Sequence, residues 1–153
     1  MICVTVNARA ALLSFRLRAN VLTAASTFPE RKRILIADDA PASRELLHSI
    51  LEADGHLVRE AENGEQVLAA VDSFDPHLVI LDVHMPRLDG YATALALRNL
   101  PAHRRTPIIA LTAALSQTAP EKISEAGFTA YLVKPIGPAR LRQCVSKVLQ
   151  SLT

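Results

Sequence analysis

Short apolar runs recur along the chain, each closed by a polar residue and followed by a stretch of helical period. The clearest is Leu-Val-Ile-Leu at residues 78–81, which leads into Asp82 between Pro76 and Pro86. It is too short for a helix and has no polar alternation, so it predicts a strand buried on both faces, as in a parallel sheet. Similar runs stand at 34–37, 108–111 and 130–133, and a more polar one at 56–61 predicts an edge strand.

The intervening stretches read as helices. From Ser43 onward, Leu46, Leu47, Ile50 and Leu51 form one stripe, and Gly55 is placed to close the helix in a left-handed conformation. Asn63 and Gly64 suggest a turn. Val67, Leu68 and Val71 then mark the inner face of a second helix, which Asp75 and Pro76 stop. A third helix runs from Gly90 to about Leu100, before Pro101. A weaker fourth is expected over 116–126, with Gly127 as its cap. Gly137 and Pro138 open the last, with Leu141, Val145, Val148 and Leu149 inward. Five strand–helix alternations with short links predict an α/β fold: a doubly wound parallel sheet with helices on both faces.

A chain of 153 residues, half of them apolar, suits one globular domain. Aromatics make up only 4%, so the core must be aliphatic. The net charge of +2 is unevenly divided. Residues 1–33 carry six basic side chains against Glu30 alone, whereas 34–153 carry eleven basic and fourteen acidic ones. The pI of about 8.7 is thus a property of the leader, and nucleic-acid binding by the folded part is not expected. Arg9, Arg16 and Arg18 interrupt an Ala- and Leu-rich segment that a secretory signal would keep apolar. Residues 1–30 are read as a basic, poorly structured N-terminal extension, with a transit peptide or membrane-surface helix as open alternatives. The domain is expected at 31–153. Cys3 and Cys144 fit neither metal spacing nor a disulfide framework. That suits a reducing, cytoplasmic setting. No apolar run approaches the roughly 20 residues of a membrane span, so no transmembrane segment is expected.

Four strands carry chemistry at one end. Asp38 and Asp39 follow the first, Asp82 ends the third, Thr112 follows the fourth and Lys134 the fifth. By itself Asp82 is equally a strand-ending residue that caps a turn. In a parallel sheet, however, these ends lie together. Three clustered carboxylates repel unless a cation joins them, and an all-oxygen set suits Mg²⁺ rather than zinc. Lys134 can hold one phosphoryl oxygen and the Thr112 hydroxyl another, which leaves Asp82 at the sheet centre as the candidate nucleophile for an aspartyl phosphate.

The segments Ile-Ala-Asp-Asp-Ala, Leu-Asp-Val-His-Met-Pro-Arg-Leu-Asp-Gly, Ala-Leu-Thr-Ala and Tyr-Leu-Val-Lys-Pro-Ile, taken together over about residues 32–152, resemble the receiver domain of two-component response regulators. The resemblance implies a flavodoxin-like (βα)5 fold with strand order 2-1-3-4-5. It makes Asp82 the phosphoacceptor. Mg²⁺ would be held by Asp39 directly, by Asp38 mainly through water, by Asp82, and by the backbone carbonyl of His84. Lys134 would pair with Asp82 and the phosphoryl group. Thr112 and Tyr131 would be switch residues, and Pro86 and Gly90 would shape the loop. The side chains of His84 and Ala114 fall where the family tunes hydrolysis, and the small Ala114 should admit water. The implied donor is a histidine kinase or a histidine phosphotransfer protein, with a downstream protein partner. The implied role is signalling rather than turnover, the domain assisting only its own phosphorylation and dephosphorylation.

Two segments look most similar to receivers attached to hybrid histidine kinases, so a receiver separated from such a kinase is an alternative. A Mg²⁺-dependent phosphohydrolase with an Asp nucleophile is a rival, although its Asp-x-Asp pattern is replaced by Asp38-Asp39-Ala40. A flavodoxin-like electron carrier would need a Ser- and Thr-rich phosphate loop where Ala40, Pro41 and Ala42 stand.

Overall fold

In the computed structural model, residues 30–113 and 119–152 are described. The readings made for residues 1–29, for Ala114 and for the start of the fourth helix at Ser116 lie outside them. Five strands alternate with helices: β1 (Arg33–Ala37), α1 (Pro41–Ala53), β2 (Leu57–Ala61), α2 (Gly64–Phe74), β3 (Leu78–Asp82), α3 (Gly90–Asn99), a 3₁₀ turn (Pro101–His103), β4 (Ile108–Thr112), α4 (Ala119–Glu125), β5 (Ala130–Val133) and α5 (Pro138–Gln150). All strand pairs are parallel, in the order β2-β1-β3-β4-β5.

Successive residues of a strand point to opposite faces, so each central strand feeds two cores. Leu35, Val79, Leu81, Ile108 and Ala110 face one side, where Val67, Val71, Ala94, Leu97 and Ile123 cover them. Ile34, Ile36, Leu78, Ile80, Ile109 and Leu111 face the other, under Leu47, Leu51, Leu141 and Val145. Every residue of β3 and β4 is buried, which is why their sequences lack polar alternation. The register sets Ala37 opposite Leu81, Asp82 opposite Leu111, and Thr112 opposite Val133. The polar residues after these strands therefore emerge along one edge.

Two expectations need correction. Leu46 does not join the inner stripe of α1; it is 50% exposed, because Leu47, Ile50 and Leu51 already fill the arc that faces the sheet. Asn63 and Gly64 are not a free turn. Asn63 caps α2, its side chain accepting the Gln66 N–H at 3.0 Å, and Gly64 is the first helical residue. The left-handed conformations anticipated at Gly55 and Gly127 are present, and Asp75 ends α2 in the same way at φ 48°.

Candidate functional site

The site lies at the carboxyl edge of β1, β3, β4 and β5. The carboxyl halves of β1, β3 and β4 are anchored by dry packing, and each delivers a polar group where the packing stops, whereas β5 buries only Leu132. Asp38, one residue past β1, is fully buried, and Asp82 and Thr112 are nearly so. One carboxylate oxygen from each of Asp38, Asp39 and Asp82 lies within 4.8 Å of the others. Lys134, one residue past β5, spans the group. Its Nζ donates to Asp38 Oδ2 and to Asp82 Oδ2, both at 2.7 Å. Its backbone N–H is held by the Thr112 carbonyl at 2.8 Å, and its peptide bond to Pro135 is cis.

The surrounding backbone and α1 complete the setting. The His84 N–H donates to Asp82 Oδ1 at 2.9 Å, while the His84 side chain stands exposed. The Ala40 N–H donates to Asp38 Oδ1 at 2.9 Å, and the Ser43 hydroxyl to Asp38 Oδ2 at 2.5 Å. Gly90 is required here. A Cβ on it would stand 2.3 Å from the Asp82 carbonyl oxygen, so only glycine lets α3 begin against the end of β3. Pro86 is exposed in the loop between them.

Electrostatics follow from these contacts. Burial alone would push the Asp38 carboxyl up, but hydrogen bonds from Lys134, Ser43 and the Ala40 N–H outweigh it and hold it below its ordinary value of 3.8. Burial likewise opposes the charge on Lys134, yet its bonds to Asp38 and Asp82 win and raise it above 10.5. Three carboxylates facing one ammonium leave two negative charges uncompensated. With oxygen the only donor type in the cluster, that excess fits a hard divalent cation.

Asp38, Asp39, Asp82 and Lys134 are thus brought together, and Thr112 lies buried on the same edge. Tyr131 is elsewhere in kind: it sits within β5 opposite Ala110, 41% exposed. Sequence reading missed Ser43 and Arg44, which reach the Asp38 side chain and backbone carbonyl from the first turns of α1. The signal was available, since Pro41 starts the helix two residues after Asp39, with Ala40 as its N-cap, which puts Ser43 and Arg44 in its first turn. Four other histidines play different parts. His56 and His77 accept backbone N–H bonds at strand starts, His48 meets Glu60, and His103 is deeply buried near Asp72 and Thr106.

This topology and edge site define the doubly wound class of α/β proteins that place polar chemistry beyond the carboxyl ends of parallel strands. The chain belongs to the response regulator receiver domain family, which it matches over residues 34–146. It is 36% identical over 120 residues to a gliding motility regulatory protein of Myxococcus xanthus, covering 78% of this chain and 15% of that one. The chain thus spans a small part of that relative's length. CheY4, a chemotaxis protein of Vibrio cholerae, superposes with a TM-score of 0.75 at 29% identity, over 77% of this chain and 98% of the other. The receiver domain of the sensor histidine kinase PA1611 of Pseudomonas aeruginosa, solved with a magnesium ion in its active-site cleft, gives 0.73 at 29% identity, over 78% and 98%. The protein is therefore a receiver domain of two-component signalling with the CheY-like, flavodoxin-type fold. Among the described residues no helix is long and apolar enough to cross a membrane.

Proposed function

We propose that Asp82 is the phosphoacceptor, taking a phosphoryl group from the phosphohistidine of a histidine kinase or histidine phosphotransfer protein. The observation that carries this reading is the meeting of Asp82 with Asp38, Asp39 and Lys134 at the end of the central strand. Asp38, Asp39, Asp82 and the His84 carbonyl would hold Mg²⁺, as the all-oxygen cluster and the magnesium in the PA1611 receiver support. Such an ion would supply charge neutralisation for the phosphoryl group.

The protein's own residues do the rest. Asp82 Oδ1 is oriented by the His84 N–H, and its Oδ2 is held by Lys134. Lys134 stays charged at any physiological pH and is placed to follow a phosphoryl oxygen once Asp82 becomes an acyl phosphate. Thr112 offers a hydroxyl on the adjacent strand, and its movement with Tyr131 would remodel the face of α4, β5 and α5. Shifting a population from 1:99 to 99:1 takes about 5.5 kcal/mol, which a few charge-assisted hydrogen bonds at about 1.5–3 kcal/mol each can provide. The phosphoryl group then leaves by hydrolysis, so the domain signals and has no separate substrate to turn over. We take residues 31–153 as this domain and 1–30 as an extension, and place it in the cytoplasm, where a thiol such as Cys144 stays reduced.

Incubation with acetyl phosphate and Mg²⁺ is expected to add one phosphoryl mass, and Asp82→Asn to abolish it. Label retained on that variant would refute the assignment.

A further inference from the structure

We infer that Arg44 is a positioning residue for the metal site, clamping the turn between β1 and α1 and so setting the affinity of the acid pair for a divalent cation. This rests on the Mg²⁺ reading above and extends it to a residue that is not itself a ligand.

The guanidinium of Arg44 is nearly sequestered, the residue being 9% exposed. Nη1 donates to the backbone carbonyl of Asp38 at 2.7 Å. On its other side, Nε approaches Glu60 and Nη2 approaches Glu62, each at 3.4 Å. Glu60 lies in β2 and Glu62 just beyond it, and β2 is the neighbour of β1 in the sheet. One turn along α1, His48 Nδ1 meets the second oxygen of Glu60 at 2.6 Å, which fixes that carboxylate. The Asp38 N–H in turn donates to the Ala61 carbonyl at 3.3 Å.

A cation so removed from water persists only where its partners are arranged around it. Here the arrangement ends on a single peptide carbonyl, the one that joins Asp38 to Asp39. Holding that peptide plane fixes ψ of Asp38 and φ of Asp39. The two carboxylates need this unequally. The Asp38 side chain has its own three donors, Ala40 N–H, Ser43 hydroxyl and Lys134. Asp39 is exposed, and among the described residues nothing donates to its carboxylate. Its direction is therefore inherited from the backbone, which Arg44 holds at the Asp38 carbonyl and the Asp38 carboxylate holds at the Ala40 N–H. Partners of metal ligands that act in this way typically change affinity by about 10–100-fold when removed.

The test is a Mg²⁺ titration of the full chain by calorimetry, with acetyl phosphate labelling rates measured across the same Mg²⁺ range. Arg44→Met should weaken Mg²⁺ binding by about tenfold or more. Saturating Mg²⁺ should then return most of the labelling rate, because the acceptor itself is intact. Arg44→Lys, which restores one donor, should recover part of the affinity. A lower melting temperature in chelator with unchanged Mg²⁺ affinity would reduce Arg44 to a structural residue and overturn the proposal. If Arg44→Met fails to fold, the double variant Glu60→Gln, Glu62→Gln loosens the same guanidinium from outside the site. It should lower affinity in the same direction, and no change would overturn the proposal. A wild-type protein that binds no Mg²⁺ would overturn the metal reading along with it. Wild-type binding matched by every variant would overturn the role of Arg44 alone.

Discussion

Asp38 and Asp39 are adjacent in sequence and opposite in circumstance. One is buried and accepts from three protein donors, and the other is exposed. Sequence reading assigned both to one task, because burial and side-chain partners are settled by distant residues such as Lys134. Gly90 is the reverse case, a residue whose necessity becomes measurable only with coordinates. Gly90→Ala would drive a methyl group into the Asp82 carbonyl. We expect it to cost about 1–3 kcal/mol by chemical denaturation and to slow labelling of Asp82. His56 offers a pH test away from the site. Burial, assisted by Lys32 and opposed by Asp54, lowers its pKa below 6.5, and its Nδ1 accepts the Lys32 N–H at 3.4 Å. The folded state then binds this proton less readily than the unfolded chain. The contribution of His56 to stability is complete above about pH 6.5 and is lost as pH falls from there through the lowered folded value. Melting temperature should drop between about pH 7 and pH 5, and scanning calorimetry should show a smaller drop for His56→Gln.

Among the elements, strands were easier to read than helix faces. The spans of β3 and β5 match the expected ones, because an unbroken apolar run between breakers has few other uses. The face of α1 was drawn one residue too wide, since a period of 3.6 tolerates Leu46 on the margin and only packing decides the margin. Arg98, near the end of α3, shows a contribution that pattern reading passes over. Its guanidinium donates to the carbonyls of Gly127, Thr106 and His103, at distances from 2.6 to 3.2 Å. It therefore joins the end of α3, the 3₁₀ turn and the segment after α4. Arg98→Ala strips donors from three carbonyls and should destabilise the domain by about 2–3 kcal/mol, read as a lower urea midpoint at unchanged m-value. A change below about 0.5 kcal/mol would mean that water replaces the guanidinium without loss.

For the molecule as a whole, parallel topology does the convergence. Residues separated by up to 96 positions, Asp38 and Lys134, meet at 2.7 Å because every strand runs the same way and stops at the same edge. If that edge binds Mg²⁺, the ion should raise the melting temperature of the whole domain. The gain corresponds to about 2.7 kcal/mol at a hundredfold excess over Kd, and should vanish with chelator. Removing residues 1–30 should leave the melting temperature essentially unchanged, whereas a large fall would show that they belong to the domain. The chain alone determined the number of strands, the burial of β3 and β4, the parallel sheet and the acids, threonine and lysine at one edge. Those features are written in local period and in the residue that ends each run, and neither depends on a distant partner. Only the tertiary structure decided that Lys134 bridges Asp38 and Asp82, that Tyr131 faces outward, and that Ser43 and Arg44 hold the acid turn. Each of these depends on which side chains from separate elements reach one another, and a polar residue near a strand end carries no local mark of the partner it will find.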